Sequence, residues 1–304
     1  MEHGRIASLD VSVVGLGCNN FGWRLDADAT ARVVHAALHA GVNLFDTAEF
    51  YGEGRSEEYL GRALRGRRSQ AIIATKFGYK TAPPNHRGQP ANVRRAADAS
   101  LKRLGMDHID LFQLHNPDPT TPIADTLGAL DELVRAGKVK EIGCSNFSAE
   151  QLREAARLMR PGNARFVSVQ NEYSLIHRDA EADVLPECER SGVAFLPYFP
   201  LANGLLTGKY RRGGPRPTNT RLRPDSDALS DENLATVEEL IHFAESKGRT
   251  MLELAFGWLL THRSVASVIA GAMTPEQVRG NAAAGEWKLS SEDRAAVNAL
   301  AVYS

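Results

Sequence analysis

Several polar residues in this chain stand directly after short apolar runs. Asp46 follows Val42-Asn43-Leu44-Phe45, Lys76 follows Ile72-Ile73-Ala74-Thr75, and His115 follows Leu111-Phe112-Gln113-Leu114. Ser145 and Asn146 follow Ile142-Gly143-Cys144, Gln170 follows Val167-Ser168-Val169, and Tyr198 follows Phe195-Leu196-Pro197. Tyr51 lies a little beyond Asp46, in Phe50-Tyr51-Gly52. A carboxylate, an ammonium and a phenol brought together have a plain use. Asp46 holds Lys76, the ammonium stabilises phenolate, and Tyr51 becomes a better acid near neutral pH. With His115 hydrogen-bonding a substrate oxygen, these groups can protonate a carbonyl oxygen while hydride arrives from elsewhere. No side chain supplies hydride, so this chemistry calls for a nicotinamide cofactor. Taken singly, each residue has a local reading: Asp46 caps a turn, Lys76 is solvated, His115 is satisfied in the core. Their recurrence at the ends of apolar runs argues for one shared rim.

The elements that must position them are eight apolar runs rich in β-branched and aromatic residues. They cover residues 11–16, 42–45, 71–75, 109–114, 139–144, 166–169, 193–196 and 267–270. Several are continuously apolar, as expected of parallel strands covered on both faces. Helical patterns follow each. Ser56 before Glu57-Glu58, Ser148 with Gln151, Thr250 with Glu253, and Thr274-Pro275 with Gln277 read as helix starts. The alternation predicts an α/β fold, a (β/α)8 TIM barrel forming a single domain over residues 1–304 with extra helices. A doubly wound open sheet is the alternative. The connection from Tyr198 to Ser267 is oversized; it holds a Gly/Pro/Arg-rich stretch, 211–227, and an additional helix, 231–247. A second irregular stretch covers 78–92, and the helical tail after Ser290 is expected to close one end of the barrel.

Composition narrows the function classes. The 304 residues carry 36 Lys+Arg against 37 Asp+Glu, so no global basic field for nucleic acid or an anionic membrane exists. Cys18, Cys144 and Cys188 form no CxxC pair, which excludes zinc-finger and redox motifs on spacing and fits a reducing compartment. Met1-Glu2-His3-Gly4-Arg5 lacks the apolar run of a signal peptide, and the longest uncharged stretch, 191–208, is broken by Pro197, Pro200, Asn203 and Gly204. The expectation is a cytoplasmic protein without a resident metal. Protein partners are left open.

The residues Phe45-Asp46-Thr47-Ala48-Glu49-Phe50-Tyr51-Gly52, Ala74-Thr75-Lys76-Phe77-Gly78, Leu114-His115-Asn116-Pro117-Asp118, Ile142-Gly143-Cys144-Ser145-Asn146-Phe147 and Val169-Gln170-Asn171-Glu172-Tyr173 occur in series. In that order they resemble the aldo-keto reductases over essentially the whole chain. The resemblance implies a barrel that binds NADP(H) extended, without a Rossmann domain. Asp46, Tyr51, Lys76 and His115 match the family's catalytic tetrad, with Tyr51 as general acid. Residues matching Ser145, Asn146 and Gln170 hold the carboxamide, and an aromatic at Tyr198 stacks on the nicotinamide. Phe199, Pro200, Leu201, Ala202, Asn203 and Gly204 would line the pyrophosphate, with Lys209 and Arg221 as phosphate partners. Gly271, Met273, Gln277 and Asn281 fall at the adenosine end, and Cys18 and Asn19 would touch cofactor through backbone, Cys18 having an equal claim to a packing role. The Thr274-Pro275 helix start independently offers free backbone N–H groups after the last strand.

NADPH is the implied cofactor. Some family members place a cation or hydroxyl where Met273 stands, an arginine near Gln277, or a Glu where Gly280 stands, so NADH stays open, with Arg279, Lys209 or Arg221 as substitute partners for a 2′-phosphate. The substrate is a small carbonyl compound, its pocket walled by Trp23, Phe50, Tyr51, Phe77, His115 and Asn116. Gly15-Leu16-Gly17 reads as a strand end at the barrel mouth rather than a dinucleotide turn, since position 20 is Asn. The basic loop Arg211, Arg212, Arg216, Arg221 and Arg223 is either a solvated surface or a cover over an anionic cofactor. The competing functions are a regulatory cofactor-binding module resembling potassium-channel β subunits, a metal-dependent barrel hydrolase, and a Schiff-base aldolase using Lys76. The channel subunits have Asn where His115 stands, the first strand ends without an HxH pair, and Asp46 favours a charged lysine.

Overall fold

The computed structural model describes residues 1–80, 87–158, 160–215, 217–218, 220–223 and 225–301. In chain order its elements are β1 (His3–Ile6), β2 (Leu9–Ser12), β3 (Val14–Gly17), α1 (Ala27–His39), β4 (Leu44–Asp46), α2 (Arg55–Ala63), β5 (Ile72–Phe77), α3 (Pro90–Leu104), β6 (Ile109–Leu114), α4 (Ile123–Arg135), β7 (Val139–Ser145), α5 (Ala149–Arg157), β8 (Phe166–Glu172), α6 (Val184–Ser191), β9 (Ala194–Tyr198), α7 (Asp231–Ser246), α8 (Met251–Leu259), β10 (Val268–Gly271), α9 (Pro275–Ala284) and α10 (Ser291–Leu300). Strands β3 to β10 form one parallel sheet in the order β10-β3-β4-β5-β6-β7-β8-β9. The seam between β9 and β10 closes where Phe195 N donates to Ser264 O (2.7 Å) and Ala266 N donates to Phe195 O (3.1 Å). The fold is therefore a (β/α)8 barrel, not an open sheet.

Two apolar layers hold it. The larger lies between strands and helices and includes Phe45, Ile73, Phe77, Phe112, Leu114, Val169 and Phe195. The smaller fills the barrel interior with Leu44, Ala74, Leu111, Val167, Ala194, Leu196 and Ile269. The period of two along each strand separates these layers, and the same period decides what reaches the mouth. Continuing from Leu44 leads inward to Asp46, from Ala74 to Lys76, from Leu111 to Gln113 and His115, and from Leu196 to Tyr198. Gly15 sits inside β3, where a Cβ would stand 2.7 Å from Ile269 Cδ1; it serves barrel packing, as the strand reading required.

Two expectations need correction. Residues 11–16 are not one strand. The chain bends at Val13, where Asn43 clamps it: Ser12 N donates to Asn43 Oδ1 (2.7 Å), and Asn43 N donates to Ser12 Oγ (3.0 Å). β1 and β2 form an antiparallel hairpin whose Ile6, Leu9 and Val11 join the interior cluster. This hairpin plugs the lower end; α10 instead lies on the outside beside α7, tied by Lys247–Asp293 and by Trp258 Nε1 donating to Asn298 Oδ1.

Helix starts at Ser148, Thr250 and Thr274 are real caps; the first two are complete capping boxes. Ser56 is not one. It lies inside α2, where its hydroxyl contacts Thr47 Oγ1 (2.8 Å) and donates to Cys18 O (2.9 Å). α7 matches the additional helix. The described part of 211–227 is irregular, and Arg216 lies outside the described residues, as does 81–86 within the second irregular stretch, whose last residues already begin α3.

Candidate active site

Asp46 ends β4 and is 3% exposed; Lys76, on the neighbouring β5, is 1% exposed. Lys76 Nζ donates to Asp46 Oδ2 (2.6 Å) and to Thr47 O (2.9 Å). The other carboxylate oxygen, Asp46 Oδ1, accepts from Gln170 Nε2 (2.9 Å) on β8 and Gln113 Nε2 (3.4 Å) on β6. Four strands thus converge on one ion pair, and the pair's remaining hydrogen-bonding capacity is largely filled, as a buried charge requires.

Tyr51 is delivered by a tight turn after β4. Gly52 has φ 57° and a Cβ there would lie 2.7 Å from Phe21 O, so only glycine fits. Glu49 locks the turn to β5: its N donates to Lys76 O (3.0 Å), and its Oε1 accepts from Gly78 N (2.8 Å). Lys76 Nζ lies 5.1 Å from the Tyr51 ring centroid, close enough for its charge to act on the Tyr51 hydroxyl. His115 stands edge-on to Tyr51 with ring centroids 6.0 Å apart. Its buried Nδ1 has no hydrogen-bond partner among the described residues, although its backbone N and O are engaged with Phe77 O and Asn146 Nδ2.

The electrostatics correct one expectation. Burial raises Tyr51 above the usual tyrosine value; Lys76 opposes this, and Asp46 adds to it. Desolvation therefore outweighs the ammonium, and Tyr51 keeps its proton at neutral pH. Burial alone would pull Lys76 down, but Asp46 and Tyr51 raise it, so it remains an ammonium. A neutral amine for Schiff-base chemistry is disfavoured. Burial and the Lys76 charge push His115 well below the usual imidazole value, which keeps it neutral.

Around this cluster lies the expected nicotinamide end. Ser145 Oγ donates to Gln170 O (2.6 Å), Asn146 Nδ2 to His115 O (2.9 Å), and Tyr198 OH to Asn146 Oδ1 (2.9 Å). Burial pushes the Tyr198 hydroxyl up to about 12. The strap after β9 holds three non-glycine residues at positive φ, Phe199 (51°), Ala202 (44°) and Asn203 (57°), then Gly204 (100°). Strained backbone of this kind concentrates at functional sites. A Cβ on Gly204 would lie 3.0 Å from Lys209 Nζ, so the glycine lets that amine lie over the strap. Pro200 is buried and Leu201 half-buried beneath. At the far end Asn281 Nδ2 donates to Gly271 O (3.4 Å), and Gln277 Oε1 accepts from Met273 N (2.7 Å).

Some expected site residues sit elsewhere. Phe77 is fully buried in the outer layer, stacked on Phe112 at 4.6 Å, because Lys76 takes the inward position and its neighbour must point out. Cys18 has no backbone group free for a ligand: its N donates to Asp46 O (2.8 Å), and its O accepts from Phe21 N and Ser56 Oγ. Its side chain is fully buried in the outer apolar layer. Asn19 is half-buried beside Gly271. Trp23 and Phe50 are exposed at the mouth, and Asn116 Oδ1 accepts from Lys80 N. Two further residues belong to the site. Gln113 contacts Asp46 and was legible as the inward residue two before His115. Tyr79, carried past Phe77 by the positive-φ Gly78, stacks on Phe50 (4.2 Å) and abuts His115 (4.8 Å).

A model of the Aldo/keto reductase family matches residues 13–302. The chain is 33% identical over 322 residues to the aldo-keto reductase YhdN of Bacillus subtilis (strain 168), covering 99% of this chain and 93% of that protein. It is 34% identical over 291 residues to a probable voltage-gated potassium channel subunit beta of Arabidopsis thaliana, covering 90% and 88% respectively. The solved structure of the glycerol dehydrogenase AKR11B4 from Gluconobacter oxydans matches with a TM-score of 0.86 at 33% identity, covering 98% of this chain and 94% of that one. Barrel, motif series and matches along nearly the whole length agree: the chain belongs to the aldo-keto reductase family of oxidoreductases.

Proposed function

We propose that the protein reduces an aldehyde or ketone to an alcohol by hydride transfer from NADPH, with Tyr51 as general acid. The observation that carries this reading is the buried Asp46–Lys76 pair against a desolvated, protonated tyrosine and a neutral histidine. When bound, the nicotinamide supplies hydride to the carbonyl carbon. Tyr51 Oη donates its proton to the carbonyl oxygen as negative charge develops there, and the Lys76 ammonium beside it stabilises the phenolate left behind. His115 offers a neutral ring nitrogen to hold the same oxygen in place. Asp46, anchored by Gln113 and Gln170, keeps Lys76 charged and aimed.

The residues present fit a dinucleotide. Lys209 and Arg221 flank the strap, and no carboxylate among the described residues is in ion-pair contact with either. Partial burial pulls both below their usual values, a cost that a phosphate would offset. Ser145, Asn146, Gln170 and Tyr198 would hold the nicotinamide, and Asn19 with residues 271–281 the adenosine. At that end Glu276 occupies the first turn of α9 and pairs with Arg279, so NADH is the alternative cofactor and both are to be titrated. The similarity to potassium-channel subunits favours a second reading, a cofactor-binding regulatory module with little turnover.

Tyr51→Phe removes the transferable proton with almost no change in volume. Turnover on a carbonyl panel, followed by loss of reduced-cofactor absorbance, is expected to fall at least ~10²-fold while cofactor affinity holds. A variant within a factor of two of the parent would overturn the acid assignment. A parent with cofactor affinity but no turnover on any carbonyl would favour the regulatory reading.

A further inference from the structure

The imidazole of His115 is enclosed by other rings. It is 7% exposed, and its buried Nδ1 has no hydrogen-bond partner among the described residues. Tyr51 meets it edge-on from the turn after β4. Tyr79, on the segment that leaves β5, lies 4.8 Å from it between ring centroids, at an interplanar angle of 59°. Tyr79 is itself stacked on Phe50, with centroids 4.2 Å apart and planes 17° from parallel. Lys80 Nζ lies 6.0 Å from the Tyr79 ring centroid, and Lys76 is the charge that acts on the imidazole. The end of β7 contributes the neutral Asn146 amide, bonded to His115 O.

A buried ring nitrogen left without a partner is costly, and it persists only where the segment covering it is held in place. The backbone on both sides of Tyr79 is pinned from three directions. Gly78 N donates to Glu49 Oε1 (2.8 Å), on the turn after β4. Lys80 N donates to Asn116 Oδ1 (3.0 Å), just beyond β6, and Lys80 O accepts from Arg87 Nη2 (2.6 Å), ahead of α3. Glu49 N also donates to Lys76 O (3.0 Å), so Glu49 grips the end of β5 at two points. Phe50 follows Glu49 and Tyr79 follows Gly78; the bond between Glu49 and Gly78 therefore brings the two neighbouring rings face to face.

We infer that Glu49 and Tyr79 are positioning residues for His115: Glu49 latches the chain leaving β5 to the Tyr51 turn, and Tyr79 is thereby held as a dry cover across the imidazole. Behind such a cover the neutral ring is favoured, because an imidazolium would lose its hydration and face the Lys76 ammonium. The ring of Tyr79 does this work; its hydroxyl does not. The consequence for turnover rests on the carbonyl-reductase reading, whereas the cover itself does not. Tyr79 belongs to neither apolar layer, so shortening it spares the folding core.

The test follows the imidazole itself, without turnover. Side-chain nitrogen–proton NMR spectra of the full chain are recorded from about pH 5 to about pH 8, where an ordinary histidine titrates. The His115 signal is identified by its loss in His115→Gln. In the parent it should stay neutral throughout. Tyr79→Ala admits water and should raise the proton affinity of His115 at least ~10-fold, bringing a midpoint into that range. Tyr79→Phe keeps the ring and should match the parent. Glu49→Ala should behave as Tyr79→Ala does, and Glu49→Gln, which keeps an acceptor for Gly78 N, should restore the parent behaviour. A His115 that stays neutral in Tyr79→Ala, or that titrates in Tyr79→Phe, overturns the cover; a Glu49→Ala protein indistinguishable from the parent overturns the latch. Single-turnover carbonyl reduction by Tyr79→Ala should then show an inflection, absent from the parent, at the midpoint read by NMR. A shifted midpoint with no such inflection overturns the positioning role. A parent inactive on every carbonyl defeats the carbonyl-reductase reading instead, and the spectra alone then decide the cover.

Discussion

Tyr51 holds its proton more tightly than a free tyrosine, because desolvation outweighs the nearby ammonium. For an acid that must donate at neutral pH this is a workable state: the group is fully loaded, and Lys76 matters most once the phenolate begins to form. The direction of each shift gives a pH prediction. Tyr51 stays protonated to above its ordinary value of 10.0, and His115 stays neutral to well below 6.5. Single-turnover carbonyl reduction should therefore be flat from about pH 6 to about pH 9 and decline only on the alkaline side. An inflection near 6.5 would mean that His115 titrates and that its buried, neutral state is wrong. The positions of Asp46, Lys76 and His115 were legible because strand ends collect chemistry and each follows an apolar run. The sign of the Tyr51 shift was not, since desolvation depends on packing from distant segments. Phe77 shows the cost of reading a motif without its period: its neighbour Lys76 already occupies the inward place.

Among the elements, helix starts were the most legible, since a cap is a local bargain between one side chain and the next turn. Ser148, Thr250 and Thr274 all behave this way. The β1–β2 hairpin was not, because residues 11–16 look continuous and the break comes from Asn43, far along the chain. The hairpin is part of the interior, not an ornament on it. Leu9 is 5% exposed and packs into the inner cluster. Leu9→Ala should cost about 2–5 kcal/mol in urea unfolding, as for other buried leucines. A loss well under 1 kcal/mol would show that the barrel floor forms without the plug.

Over the whole molecule, the candidate site residues gather on one rim. The lower interior is sealed by Ile6, Leu9 and Val11, while the upper interior is charged and polar. Net charge near zero leaves no long-range field to draw in an anionic ligand, so local cations must do so. The alternation of strands and helices made the barrel legible, but the way it closes was set by side chains and backbone far apart in sequence. Along β8 and β9 five residue pairs are in register, whereas β9 meets the segment before β10 through a single bridge at Phe195 and Val265. A cylinder opens where its wall is thinnest. Such openings are local and far cheaper than global unfolding. The Phe195 and Ala266 amides that make this seam should therefore exchange with solvent deuterium sooner than their neighbours in β6 and β7. The strap, which leaves the end of β9, and residues 271–281, which leave the end of β10, begin on the two sides of that line. A dinucleotide lying across both would act as a stitch, and saturating NADPH should slow exchange at those two amides more than on the opposite wall. Equal slowing everywhere would mean that the barrel breathes as one body.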